Sequence, residues 1–187
     1  MKIKVGVMGS AGETLTGAAE EELRAKAEGL GRAIAARGCV AMTGGTTGLP
    51  HLAGAAAQRE GALHVGVSPA ADEREHVERY GLPVEGTDLL VYTGFGLKGR
   101  NVVLVRSCDV VLIFRGGMGT LNELTIAHDE GRVVGCLTGT GGVADEAERL
   151  IQALPKKTRA VVLFDEEPER LLDECLAALK SFRGEGD

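Results

Sequence analysis

The sequence predicts an α/β protein built on a mainly parallel sheet of about seven strands with helices on both faces. Three observations carry this. Short β-branched runs alternate with longer segments of helical period along the whole 187-residue chain. Several of the runs are apolar throughout, as strands covered on both faces should be. Clusters of glycine follow the strands, at the turns where an open α/β sheet receives its ligands.

The strand candidates are Ile3 to Met8, Cys39 to Thr43, Leu63 to Val67, Asp88 to Tyr92, Val110 to Phe114, Arg132 to Leu137 and Ala160 to Phe164. In the first helical segment Leu23, Ala27, Leu30 and Ile34 fall on one stripe, and Arg37-Gly38 supplies a stop signal. In the last, Leu171, Leu172, Cys175, Leu176 and Leu179 repeat the stripe after Pro168 in the first turn. The alternation is that of a doubly wound, Rossmann-like domain. It spans residues 1–182, and residues 183–187 read as a frayed tail. The least regular stretch, Ser68 to Gly86, reads either as a flap or as a plain surface excursion.

Composition narrows the function. Net charge is −6 and the isoelectric point about 5.3, which argues against general binding to a phosphate backbone. Only six aromatics occur (Phe 4, Tyr 2, Trp 0), too few for base-stacking platforms, so nucleic acid is not the expected partner. No apolar stretch approaches the ~20 residues that span a bilayer. Cys39, Cys108, Cys136 and Cys175 form no Cys-x-x-Cys pair and read as reduced, buried thiols of a cytoplasmic protein. His51, His64, His76 and His128 lack metal-ligand spacing, so no metal centre is expected.

There are 28 glycines, about twice the ~7% share of average proteins. They gather in Gly9-Ser10-Ala11-Gly12, Gly44-Gly45-Thr46-Thr47-Gly48, Gly94-Phe95-Gly96 and Gly116-Gly117-Met118-Gly119-Thr120. One such cluster alone reads as a tight turn. Four at one sheet edge, with Ser and Thr hydroxyls between them and helix N-termini behind, read as a site for a small anion, above all a phosphate. The first turn, Gly6 to Gly12, lacks the Gly-x-Gly-x-x-Gly dinucleotide spacing, and Thr43 stands where a ribose-binding acid belongs. The P-loop pattern and Gly-x-Ser-x-Gly are missing too.

The stretch from Gly94 to Arg132 resembles the LOG-like nucleotide-binding proteins, often mislabelled as lysine decarboxylases, which include cytokinin-activating phosphoribohydrolases. Gly116, Gly117, Gly119, Thr120 and Glu123 match the family's Pro-Gly-Gly-x-Gly-Thr-x-x-Glu turn, and Arg100 matches its preceding arginine. Thr43 to Pro50 is similar to its second glycine loop and Gly9-Ser10 to its first. Arg115 replaces the proline, and Lys98-Gly99-Arg100-Asn101 replaces His-x-Arg-Lys. In these departures the chain is most similar to the subgroup with molybdenum-cofactor carrier proteins and uncharacterised members.

The resemblance implies a phosphorylated ligand such as AMP or a molybdopterin-type molecule, no required cofactor, and a homodimer or higher homo-oligomer. It also implies phosphate binding by Gly9, Ser10, Gly44, Gly45, Thr46, Thr47, Gly116, Gly117, Met118, Gly119 and Thr120. Two functions stay open. In a phosphoribohydrolase that splits a nucleoside 5'-monophosphate into base and ribose 5-phosphate, Glu123 stabilises the sugar cation and Arg100 holds Glu123 ionised. In a carrier or sensor, the same cleft binds without turnover. Lys98 and Arg115 are candidates to return the charge lost at Asn101, and Tyr92, Phe95 and Met118 to flank a base. Spacing alone makes Thr120 to Glu123 a capping box, with threonine as helix cap and glutamate bonded back to it.

Overall fold

A computed structural model of the chain describes residues 1–11 and 17–184. Gly12 of the first glycine cluster and residues 185–187 of the expected tail lie outside the described residues. The elements run β1 (Lys4–Gly9), α1 (Ala18–Ala36), β2 (Val40–Thr43), α2 (Gly48–Arg59), β3 (His64–Ser68), β4 (Leu89–Tyr92), α3 (Gly96–Ser107), β5 (Val110–Phe114), α4 (Met118–Asp129), β6 (Val133–Leu137), α5 (Val143–Ala153), β7 (Val161–Asp165) and α6 (Pro168–Arg183). Every expected strand is present, with its bounds shifted by at most one residue. The excursion between β3 and β4 holds one π-type turn, Glu75–Arg79.

All seven strands pair in parallel, in the order β4-β3-β2-β1-β5-β6-β7. The chain winds outward from β1 to β4, returns to lay β5 beside β1, and winds outward again. Val5 aligns with Val110 and Gly9 with Phe114. Connections therefore leave β1 and β5 toward opposite faces, and a crevice opens beyond their carboxyl ends.

The period-2 alternation of the strands sorts the core into two layers. Val110, Leu112 and Phe114 of β5 join Leu23, Leu30 and Ile34 of α1 and Leu171, Leu172 and Cys175 of α6. Val111 and Ile113 join Leu104 and Val105 of α3, Leu124 of α4 and Ala147 of α5. The unbroken apolar run of β5 follows from this, since both of its faces are covered. All four cysteines are free and buried, and burial pushes the Cys108, Cys136 and Cys175 thiols up to about 12. No helix among the described residues is long and apolar enough to cross a membrane.

The chain ends correct one expectation. Arg183, expected in the frayed tail, closes α6 and donates to Asp109 at 2.6 Å, and Gly184 caps the helix in the left-handed region at φ 69°.

Helices α1 and α2 cross closely because Gly31 lies against the backbone of Ala53 and Ala57. A Cβ at Gly31 would strike that backbone, whereas at Gly29 the nearest atom is the tip of Arg32 at 3.8 Å. Gly31→Ala is expected to destabilise the fold by about 1–3 kcal/mol through overpacking. Gly29→Ala is expected to stabilise it by about 0.5–1 kcal/mol through helix propensity. Urea unfolding of the two variants checks the opposite signs.

Candidate functional site

A cleft of about 300 Å³ opens at the β1/β5 switch point. Gly9, Ser10 and Ala11 from the end of β1 form its floor, with Gly44 and Thr46 after β2 on one side. Gly117, Gly119 and Thr120 at the start of α4 face them, and Lys98, Arg100 and Asn101 of α3 close the rim with Glu123. Most of the residues expected to hold phosphate thus meet in one place.

At the centre, Arg100 Nη1 donates to Glu123 Oε1 at 3.0 Å. Both side chains are 8% exposed. The guanidinium lies flat against Gly44, where any Cβ would collide with it. Burial, which disfavours charge, pushes the Glu123 carboxyl up and Arg100 down from their ordinary values, and the charge of each opposes the shift of the other. The guanidinium stays charged throughout. Its Nε is buried with no acceptor among the described residues. Lys98 adds a second positive charge near Glu123, and its Nζ donates to the Met118 carbonyl at 3.3 Å. Among the described residues, two cations stand against one carboxylate in the cleft, a local positive excess in an acidic protein.

Helix α4 supplies the second electrostatic element. Gly117 is its N-cap, no side chain caps it, and the N–H groups of Met118, Gly119 and Thr120 find no acceptor among the described residues. Such groups, with the helix dipole, attract an anion. Among the described residues nothing lies within 4 Å of a Cβ at Gly117, and at Gly119 only Lys98 Nζ, at 3.9 Å. Both glycines face open space. Gly9 instead abuts the Phe114 carbonyl and Gly116 the Thr120 side chain, so part of the glycine excess serves close packing. Ser10 Oγ accepts the Gly116 N–H at 3.1 Å and ties the β1 turn to the β5 turn.

Several expectations are corrected. The capping box does not form: α4 begins before Thr120, whose side chain packs under Gly116, and Glu123 turns to Arg100 instead. Arg115 does not line the cleft. It holds φ 56° and donates its N–H and Nη1 to Thr140, in the loop after β6. Asn101 donates to Asn122 Oδ1 at 2.8 Å and joins α3 to α4. Gly45 and Thr47 lie outside the lining: Gly45 packs on Ser68 and Leu90, and Thr47 is the exposed cap residue of α2. Met118 and Phe95 are exposed, at 76% and 65%, and no aromatic lines the cleft among the described residues. Its apolar wall comes from Val7, Met8, Pro50 and Leu97. Pro50 and Leu97 were not named as site residues from the sequence, although their position beside glycine loops is a signal that could have found them. No cluster of metal-ligating side chains exists among the described residues.

A family model described as the SLOG cluster4 family matches residues 2–172. The X-ray structure of the structural-genomics target TM1055 covers 95% of this chain and 99% of its own, at 26% identity and a TM-score of 0.81. The molybdenum cofactor binding protein of Rippkaea orientalis covers 97% and 98%, at 25% identity and 0.71. The molybdenum cofactor carrier protein of Chlamydomonas reinhardtii covers 94% and 99%, at 25% identity and 0.71.

The ion pair generates a stability test. Arg100→Met leaves a buried carboxylate uncompensated and is expected to cost about 3–5 kcal/mol, whereas Arg100→Met with Glu123→Met restores most of that loss. Chemical denaturation of the single and double variants measures both.

Proposed function

The chain belongs to the SLOG cluster4 family, and on that premise we propose that it is a carrier of a small phosphorylated ligand of pterin or purine type, held without turnover. The observation that carries this reading is the open first turn of α4, where three unpaired N–H groups and two uncovered glycines face Lys98 and Arg100. A phosphate monoester matches those donors. The aliphatic wall of Met8, Pro50 and Leu97 offers one face to a flat ring. Similarity to molybdenum cofactor binding and carrier proteins supports a molybdopterin-type guest, and AMP shares its phosphate and its flat heterocycle.

Hydrolysis of a nucleoside 5'-monophosphate is the second reading, and it rests on Glu123 lining the cleft. Two features weigh against turnover. Glu123 is pinned by Arg100, and Asn101, where the hydrolases have a lysine, is engaged with Asn122. A homodimer or higher homo-oligomer belongs to the same proposal, supported by Leu89 and Val91 on the edge strand and Val102 on α3, all apolar and exposed. Four buried, unpaired cysteines support a reducing, cytoplasmic setting.

AMP mixed with the pure protein is expected to raise its melting temperature and to yield neither adenine nor ribose 5-phosphate. Both products appearing over many turnovers would establish the hydrolase instead. Gly117→Val places a side chain beside the open N–H groups, where an added Cβ meets nothing within 4 Å among the described residues. It is expected to weaken AMP binding at least about tenfold, near 1.4 kcal/mol, with melting of the free protein unchanged. Isothermal titration calorimetry and thermal melts decide this.

A further inference from the structure

Two histidines that the cleft does not use are completely buried, His64 at the start of β3 and His76 in the π-type turn. Their surroundings repeat one pattern. His64 Nδ1 lies 2.5 Å from the Gly86 carbonyl and its Nε2 lies 2.9 Å from Thr43 Oγ1. His76 Nε2 lies 3.1 Å from the Pro83 carbonyl and its Nδ1 lies 2.8 Å from Ser68 Oγ. In each case one ring nitrogen meets a carbonyl of the β3–β4 excursion. The other meets a hydroxyl at the carboxyl end of a strand, Thr43 on β2 or Ser68 on β3.

The hydrogens follow from the chemistry. A carbonyl only accepts, so His64 Nδ1 and His76 Nε2 carry the ring hydrogens. In a neutral ring the remaining nitrogen accepts, so each hydroxyl donates to its histidine. The hydroxyl oxygen is then free to accept a backbone N–H two residues on: Gly45 N–H on Thr43 at 3.4 Å, and Ala70 N–H on Ser68 at 3.1 Å. Protonating a ring turns its accepting nitrogen into a donor. The hydroxyl must then rotate to accept from the ring, its own buried hydrogen loses the acceptor it had, and the chain of bonds is disrupted.

These chains reach the cleft. Gly45 packs on the Ser68 backbone, and its neighbour Gly44 is the surface on which the Arg100 guanidinium lies. The His64 ring is enclosed by Gly54 of α2, where a Cβ would collide with it. We infer that His64 and His76 are positioning residues that staple the 69–88 excursion to the ends of β2 and β3, and that protonation of His64 in acid loosens the Gly44–Thr46 side of the cleft. The link to ligand release rests on the carrier reading above. The staple itself does not.

The groups facing these rings set the direction. His51 of α2 stands with its ring 6.2 Å from that of His64, with Glu85 acting on it, and Asp88 accepts the His64 backbone N–H. Tyr92 of β4 lies edge-on to His76 at 6.0 Å, with Asp72 and Glu73 near Tyr92 and with Glu75 and Arg79 on the turn itself. Burial holds His64 below the ordinary histidine value. The native form therefore takes up its proton at lower pH than the unfolded chain. The resulting stability is complete above the ordinary value of about 6.5 and is lost as pH falls from there through the native value.

Amide hydrogen exchange, corrected for intrinsic rates and followed from about pH 7.5 to about pH 5, tests this on the wild-type protein and on the double variant Thr43→Val, Ser68→Ala. In the wild type, exchange of 69–88 and 44–46 is expected to rise at least about tenfold toward acid. In the variant it is expected to be high at both ends. Protection without a pH step in the wild type, or a step of the same size in the variant, would overturn the staple. Long-range nitrogen NMR at about pH 7.5 needs no variant and is expected to find the Nδ1–H form of His64 and the Nε2–H form of His76. Either opposite tautomer would equally overturn it. The ratio of wild-type to variant AMP affinity at each pH cancels the ligand's own titration and is expected to fall toward one in acid. If AMP binds at neither pH while exchange still steps, the carrier reading fails and the staple stands.

Discussion

A guanidinium withdrawn from water has to be met by an opposite charge and by surfaces that fit its plane, and the cleft is arranged around that requirement. Arg100 meets it with Glu123 on one side and bare backbone at Gly44 on the other. The arginine comes from α3, the carboxylate from α4 and the glycine from the end of β2, so one buried pair fixes three elements relative to one another. A pair of this kind contributes little to stability against an apolar substitute, because desolvation offsets its attraction. Its place at the mouth of the cleft is better explained by the field it sets. With Lys98 nearby, the charge of the described residues is positive where the α4 dipole is positive too.

The topology explains why these elements meet. Winding outward from β1 and again from β5 sends the following connections to opposite faces, and only at that junction does the sheet edge open. The glycines then divide into two kinds. Gly9, Gly44 and Gly116 let protein groups approach one another, whereas Gly117 and Gly119 leave backbone N–H groups open to solvent. The second kind is where the proposed ligand's phosphate would dock.

Much of this was legible in the sequence because it is local. Each strand is a β-branched run bounded by glycine or charge, and the two-sided burial of β5 is written in five consecutive apolar residues. The glycine clusters, Arg100 and Glu123 pointed to one edge and met there. What sequence concealed depends on contacts between distant segments. The Thr120–Glu123 spacing reads as a cap until the loop from β5, tied back to Ser10, starts the helix earlier and turns Glu123 toward α3. Arg115 reads as a cleft cation until the Thr140 loop claims it. His64 and His76 looked scattered because their carbonyl partners belong to an excursion without regular pattern.

The central claim is that the first turn of α4 receives the phosphate of the ligand. The most direct test is a titration of the isotopically labelled protein with AMP, followed through its backbone amide resonances. The account predicts that the largest shifts fall on Gly117, Met118, Gly119 and Thr120 and saturate together. Saturating shifts centred elsewhere, with those four amides unmoved, would contradict it.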